Sequence, residues 1–288
     1  MAFLPLFLKT AGFRRGGTKR RTRRSKRWSR SALTVFASWA VIGQLSGMGL
    51  LVAEVSEPRQ AKADITSIPG AGDPFGTATS AGSGSFAIGI SATTGGFEAG
   101  GYEYSTAIGY EANAAENFAR ASGYQATAAG KYSQASGYQA KALGIAAIAL
   151  GYNANASAPY SMALGDVAKA NEEFATAVGR SATANGDSAF AAGRSSIASG
   201  TNAAATGRGA TAAASESLAI GYIADANGEN SAAIGVQANA YGNQATATGS
   251  HANAAGNYSQ ASGYQANAAG LNSQASGTNA IAAGNSAI

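Results

Sequence analysis

His251 is the chain's one histidine, and the chain has no cysteine. His251 stands two residues after Gly249, where Gln125, Gln139 and Gln265 stand elsewhere, so it reads as a solvated turn residue. Glu172 and Glu173 are adjacent carboxylates that could exchange protons, but no further catalytic partner accompanies them. Without cysteine there is no thiolate chemistry, no disulfide and no thiolate metal site. These residues point to no catalytic group, no metal ligand set and no cofactor. Two rows are better suited to binding than to reaction: Tyr110, Tyr124, Tyr138 and Tyr152, and Arg180, Arg194 and Arg208. Tyrosine offers apolar area and a hydroxyl at low entropic cost, which binding surfaces favour; a row of them also stabilises by stacking. Three arginines stacked at about 5 Å repel one another unless neutralised. Glu172, Glu173 and Asp187 are the acids in sequence reach, and an anionic ligand such as a sulfated glycan is the functional alternative.

Both rows recur every fourteen residues, as does the whole chain from Tyr104 to Ile288. The repeat aligns on Gly109, Gly123, Gly137, Gly151, Gly165, Gly179, Gly193, Gly207, Gly221, Gly235, Gly249, Gly263 and Gly277, without insertion or deletion. Alanine precedes each of these glycines by two positions and follows each by five. A second glycine often follows by seven, as at Gly130, Gly144, Gly186, Gly200, Gly228, Gly242, Gly256, Gly270 and Gly284. Such a fixed period announces a stacked array.

Fourteen is two heptads, but a coiled-coil seam of alanine and glycine fails, since each helical glycine costs about 1 kcal/mol. The small residues instead alternate by two. Ser133, Ala135 and Gly137 interleave with Tyr132, Gln134 and Ser136, and Ala126 and Ala128 with Thr127 and Ala129. That spacing places one set on each face of a short strand. Each unit is therefore two short strands with glycines at the turns. The fold class is all-β: a single-chain parallel β-roll, or solenoid, of about thirteen fourteen-residue coils. With strands about 4.8 Å apart, each residue lies over its counterpart fourteen positions away. The interior is narrow and admits only Ala, Ser and Gly. A core of alanines supplies little apolar area. The row before each repeat glycine, Ile108, Leu150, Leu164, Val178, Ile220 and Ile234 among them, is never charged. We read it as a surface for self-association.

Phrases such as Ser231-Ala232-Ala233-Ile234-Gly235 and Ser217-Leu218-Ala219-Ile220-Gly221, at fourteen-residue spacing, resemble the head repeats of YadA-like trimeric autotransporter adhesins. The resemblance runs from Phe86 onward. It implies a left-handed roll, a homotrimer, and display at a bacterial surface or outer membrane for attachment to extracellular matrix proteins or host cells.

The first thirty residues carry eleven Lys or Arg and no acid, an apolar run follows from Ala32 to Ala53, and Ala61-Lys62-Ala63 precedes Asp64. These are the parts of an export signal, so residues 1–63 read as a signal peptide with a long basic front, cleaved after Ala63. An uncleaved membrane anchor is the alternative. Beyond residue 63, seven Lys/Arg face thirteen Asp/Glu, a net charge of about −6, which removes the electrostatic basis for nucleic-acid binding. Residues 64–85, rich in Gly, Ser, Thr and Pro, read as a flexible lead-in. Residues 86–104 form an irregular capping coil, because Gly89 and Gly109 lie twenty apart rather than fourteen. Thr93-Thr94-Gly95-Gly96 is the expected bulged loop. Residues 105–288 are the regular array. The array stops short of a next coil and of the family's stalk and β-barrel anchor, so the chain reads as part of a longer adhesin, or else as a released, secreted head whose open end is hidden by assembly. The alternatives are a self-assembling surface or biofilm protein without a ligand, and an ice-binding solenoid. The latter needs a regular threonine row, whereas Thr127, Thr183, Thr211 and Thr246 are scattered.

Overall fold

A computed structural model of the chain describes residues 78–80, 84–95 and 104–288. The export signal, its cleavage point after Ala63 and the apolar run 32–53 lie outside the described residues. Among those residues there is no helix, and so none long and apolar enough to cross a membrane. Twenty-nine short strands form two parallel sheets of fifteen and fourteen strands. Each regular coil contributes a two-residue strand to the first sheet, such as Lys141–Ala142, and a three-residue strand to the second, such as Ile148–Leu150. Register is fourteen throughout the regular array, with Ala135, Ala149 and Ala163 as direct neighbours.

Alternation decides what is inside. The middle residue of each three-residue strand and the second of each two-residue strand are buried alanines in the regular coils, and Ala149 and Ala156 are fully so. The largest completely buried side chains are serines, and larger buried ones are scarce, as with Thr94 in the irregular first coil and Asn117 at a turn. Ser161 and Ser217 donate to the carbonyls of Ala158 and Ala214 at 2.6 Å, satisfying hydroxyls within the turn.

Each first-corner turn starts at a repeat glycine, with Ala112 N–H donating to Gly109 C=O at 3.4 Å, but the left-handed positions inside the turns are mostly not glycine. Two residues per regular coil take the left-handed conformation, and all but Gly209 carry a side chain, for example Gln139 (φ 52°) and Ala146 (φ 53°). Even β-branched Val167 and Ile223 do so, at a cost of order 1 kcal/mol or more each. Their amides continue the ladder between coils, with Gln139 N–H donating to Tyr124 C=O at 2.8 Å and Ala146 N–H to Lys131 C=O at 2.8 Å. The repeat glycines open the first-corner turns, where a φ that only glycine holds easily coincides with close approach of the next coil. From Gly109 to Gly277 they hold φ between 118° and 140°, and from Gly109 to Gly263 a Cβ would lie under 3.0 Å from the carbonyl of the next coil's glycine.

Two sequence expectations need correction at the start of the array. Thr93–Thr94 is a strand, paired with Asn113–Ala114 at an offset of twenty, and is not a bulged loop. Gly95 N–H still donates to Ala114 C=O at 2.8 Å, and Phe86–Ile88 pairs with Thr106–Ile108 at the same offset. The six extra residues thus fall between Gly95 and Tyr104, outside the described residues. Alternation was the signal missed, since Ala92 and Thr94 are both buried and occupy the two inward positions of a strand. The other difference is the strand Thr79–Ser80, inside the segment read as lead-in, which pairs with Thr93–Thr94 at an offset of fourteen.

Candidate binding surface

The two sheets meet at two corners, each built from a turn repeated every coil. At the first corner the residue after the repeat glycine points outward, and the tyrosine and arginine rows turn out to be one column. From Tyr110 it runs through Tyr124, Tyr138, Tyr152, Asp166, Arg180, Arg194 and Arg208 to Tyr222. Tyr110, Tyr124, Tyr138 and Tyr152 stack at centroid distances of 4.9–5.0 Å with planes within 10°. Their faces therefore cover one another, and what solvent meets is ring edges and hydroxyls. Beside them Gln125 Nε2 donates to Glu111 Oε2 at 2.6 Å and Gln139 Nε2 to Gln125 Oε1 at 2.8 Å, forming a polar ladder. The Glu111 side chain, through its hydrogen bond and then its charge, raises the Tyr110 phenol above its usual pKa.

The arginines are not neutralised by the acids that proximity in sequence suggested. Among the described residues the ion pair is Arg180 Nε to Asp166 Oδ2, at 3.4 Å within the same column. Arg208 lies over the Tyr222 ring at 5.5 Å, a cation–π contact. Arg194, between them, has no acid within ion-pair distance among the described residues. Glu172, Glu173 and Asp187 sit at the second corner, half a coil away, with Glu216 and Glu229. The intervening backbone places the corners on the order of 13 Å apart.

The second corner also carries aromatics. Phe118 and Tyr132 stack at 5.0 Å and Tyr160 and Phe174 at 5.1 Å, and Lys131 lies 5.5 Å from the Tyr132 centroid. His251, at a first-corner turn with φ 59°, meets Tyr264 edge-on at 6.0 Å. Among the described residues no group of three or more His, Asp or Glu side chains gathers to hold a metal.

The outer faces of the sheets differ. On the three-residue strands, the expected aliphatic row is exposed, with Leu150 and Ile220 each about two-fifths accessible. Sequence reasoning missed its companion two positions earlier: Ile148 stands beside Leu150, Met162 beside Leu164 and Leu218 beside Ile220. Strand alternation carried that signal. Between Ile148 and Ile234 the face is largely apolar, broken at Thr176 and Thr206; it is polar at Gln134/Ser136 and Arg120/Ser122 on one side and at Gln260/Ser262 on the other, with Ile108 and Ile88 apolar again at the start of the array. The two-residue strands face outward mostly with Asn, Thr, Lys and Asp, with Ile197 and Ile281 as apolar exceptions. There Asn253 Nδ2 donates to Asn267 Oδ1 at 3.0 Å. Burial raises the Asp225 carboxyl above its usual pKa against a smaller opposing hydrogen bond from Asn227, and Tyr241 is raised by burial and by Asp225.

No curated protein matches the chain. The family model described as the YadA head domain repeat, two copies to a match, fits residues 103–119, 121–144, 142–168, 170–196, 198–222 and 226–252, which together make half of the sequence. These coils carry both corner ladders and the apolar sheet face, and the chain belongs to the YadA head repeat family.

Proposed function

We propose that this chain is the non-enzymatic head of an exported bacterial adhesin, attaching to extracellular matrix proteins, host cells or other bacteria. Residues 1–63 would direct export and be removed after Ala63, leaving a surface-displayed or released array. Family membership supports an adhesin-like surface role. The observation that carries the reading is the first-corner column, which keeps one register over the coils from Tyr110 to Tyr222 and offers a tyrosine block and then an arginine block to solvent. Weak contacts repeated along such a column multiply when several chains assemble.

Assembly as a homotrimer fits the sheet faces, since the outer face between Ile148 and Ile234 carries more exposed aliphatic side chains in need of cover than the mostly polar opposite face. The test is saturable binding of the soluble full chain to immobilised matrix proteins and to cells, with oligomeric state read by sedimentation. A second reading, a self-assembling surface protein without a ligand, draws support from the tyrosine stack, whose ring faces are already occupied. Assembly without saturable binding to any of these surfaces selects it.

A further inference from the structure

We infer that the block Arg180–Arg194–Arg208 is a binding site for a linear sulfated polysaccharide lying parallel to the stacking direction of the coils. The inference rests on the adhesin reading and names a ligand class for that same column. Three observations lead to it. The guanidinium-bearing residues repeat at consecutive coils in one column, so positive charge recurs about every 4.8 Å along a line. One acid, Asp166, opposes them and it engages Arg180 at the column's end, leaving Arg194 and Arg208 free of carboxylates. The remaining acids of these coils, Glu172, Glu173, Asp187 and Glu216, occupy the far corner. That separation exceeds the screening length of about 8 Å at physiological salt, so the acids neither neutralise the arginine corner nor let a polyanion settle on their own.

The geometry also says what kind of anion fits. Arg180 and Asp166 are about half exposed or more, and the block stands on a convex corner rather than in a cavity, so a single small anion would stay hydrated. A ligand that repeats its charges along a line gains from all three residues at once. Sulfate groups suit the planar guanidinium fork, which gives arginine an advantage over lysine. Asp166 bounds the block on one side and Tyr222, beneath Arg208, on the other.

The experiment is surface plasmon resonance of the full chain on immobilised heparin and on fully desulfated heparin, with three variants. These are Arg180→Ala/Arg194→Ala/Arg208→Ala, the same three positions to Lys, and Lys141→Ala/Lys169→Ala on the polar sheet face. Each is checked by circular dichroism. The wild type should bind heparin and not the desulfated form. For three contacts at a slope of roughly −0.7 each, its affinity should fall about eighteenfold between about 50 and 200 mM salt. The triple alanine variant should lose tenfold or more, the lysine variant should keep part of the affinity, and the Lys141/Lys169 variant should bind as wild type. Wild-type affinity in the triple alanine variant overturns the proposal, as does equal loss in the Lys141/Lys169 variant. A triple alanine variant that sediments as a smaller species while binding heparin normally also overturns it, and assigns the arginines to the acidic corner of a second copy. A wild type that binds matrix proteins or cells but not heparin removes this inference alone; one that binds none of them removes the adhesin reading too.

Discussion

Gly228 and Gly235 lie seven residues apart in the same coil, and replacing each with alanine separates two reasons for glycine. At both, a Cβ built on the present backbone would come under 3.0 Å from a carbonyl oxygen of the next coil, and the approach is closer at Gly228. Steric distance alone therefore ranks Gly228→Ala as the worse change. The backbone argues the reverse. Gly235 holds φ 139°, a region closed to residues with a Cβ, so alanine there incurs about 1–3 kcal/mol of strain. It must also loosen Gly249 N–H to Ile234 C=O, 2.8 Å, worth about 1 kcal/mol. Restriction of the unfolded chain returns about 0.4–1 kcal/mol, leaving a loss of roughly 2 kcal/mol. Gly228 has no positive φ, and its position is filled by Glu116, Ala158, Glu172 and Ala214 in other coils. Those coils keep the turn bond, with Ala175 N–H donating to Glu172 C=O at 3.1 Å and Ser217 N–H to Ala214 C=O at 3.4 Å. Ser217 donates its hydroxyl to Ala214 C=O, and Ser231 stands in the same relation to residue 228 with its Oγ unpartnered. Gly228→Ala should thus lie within about 1 kcal/mol of wild type. Urea unfolding of the full chain reads the difference, and amide exchange at Gly249 localises it. Equal losses, or a greater loss at Gly228, would refute the claim that conformation, and not proximity, selects glycine here.

Tyr138→Ala removes two stacked contacts and Tyr152→Ala one, so losses of about 2 and 1 kcal/mol are expected by chemical denaturation, while Tyr138→Phe should leave stability unchanged. Ala191→Val inserts two methyl groups between Ala177 and Ala205 in an inward row that is alanine in every coil, and should cost about 1–3 kcal/mol. Asp225 has a raised folded pKa, so its ionised form weakens the fold above that pKa and the penalty fades as pH falls toward the ordinary carboxylate range. Asp225→Asn, matching Asn239 in the next coil, should stabilise at neutral pH and converge with wild type in acid, as read from denaturation midpoints against pH.

A period of fourteen states which residues lie over one another, and everything that depends on that alone was legible. The alanine interior, the parallel register and the ladders followed from counting along the chain, because a parallel in-register stack converts spacing directly into contact. What a coil does across its own width needed another step. The arginine corner and the acids near it in sequence are separated by half a coil, so Glu172, Glu173 and Asp187 are distant from Arg180 although few residues intervene, while Asp166, a full coil away, is its partner. The tyrosines show the same effect: spacing predicted a ladder, but only the ring planes show that each face is spent on its neighbour. Thr93–Thr94 escaped because local composition reads Thr-Thr-Gly-Gly as a loop, whereas pairing with Asn113–Ala114 supplies ladder bonds that a loop would forgo. In a stacked array the preceding coil is a stronger determinant of a residue's conformation than its neighbours in sequence, which is why twenty-six non-glycine residues accept positive φ in the described array. The inter-coil amide bonds offset a conformation that none of those residues would favour in isolation.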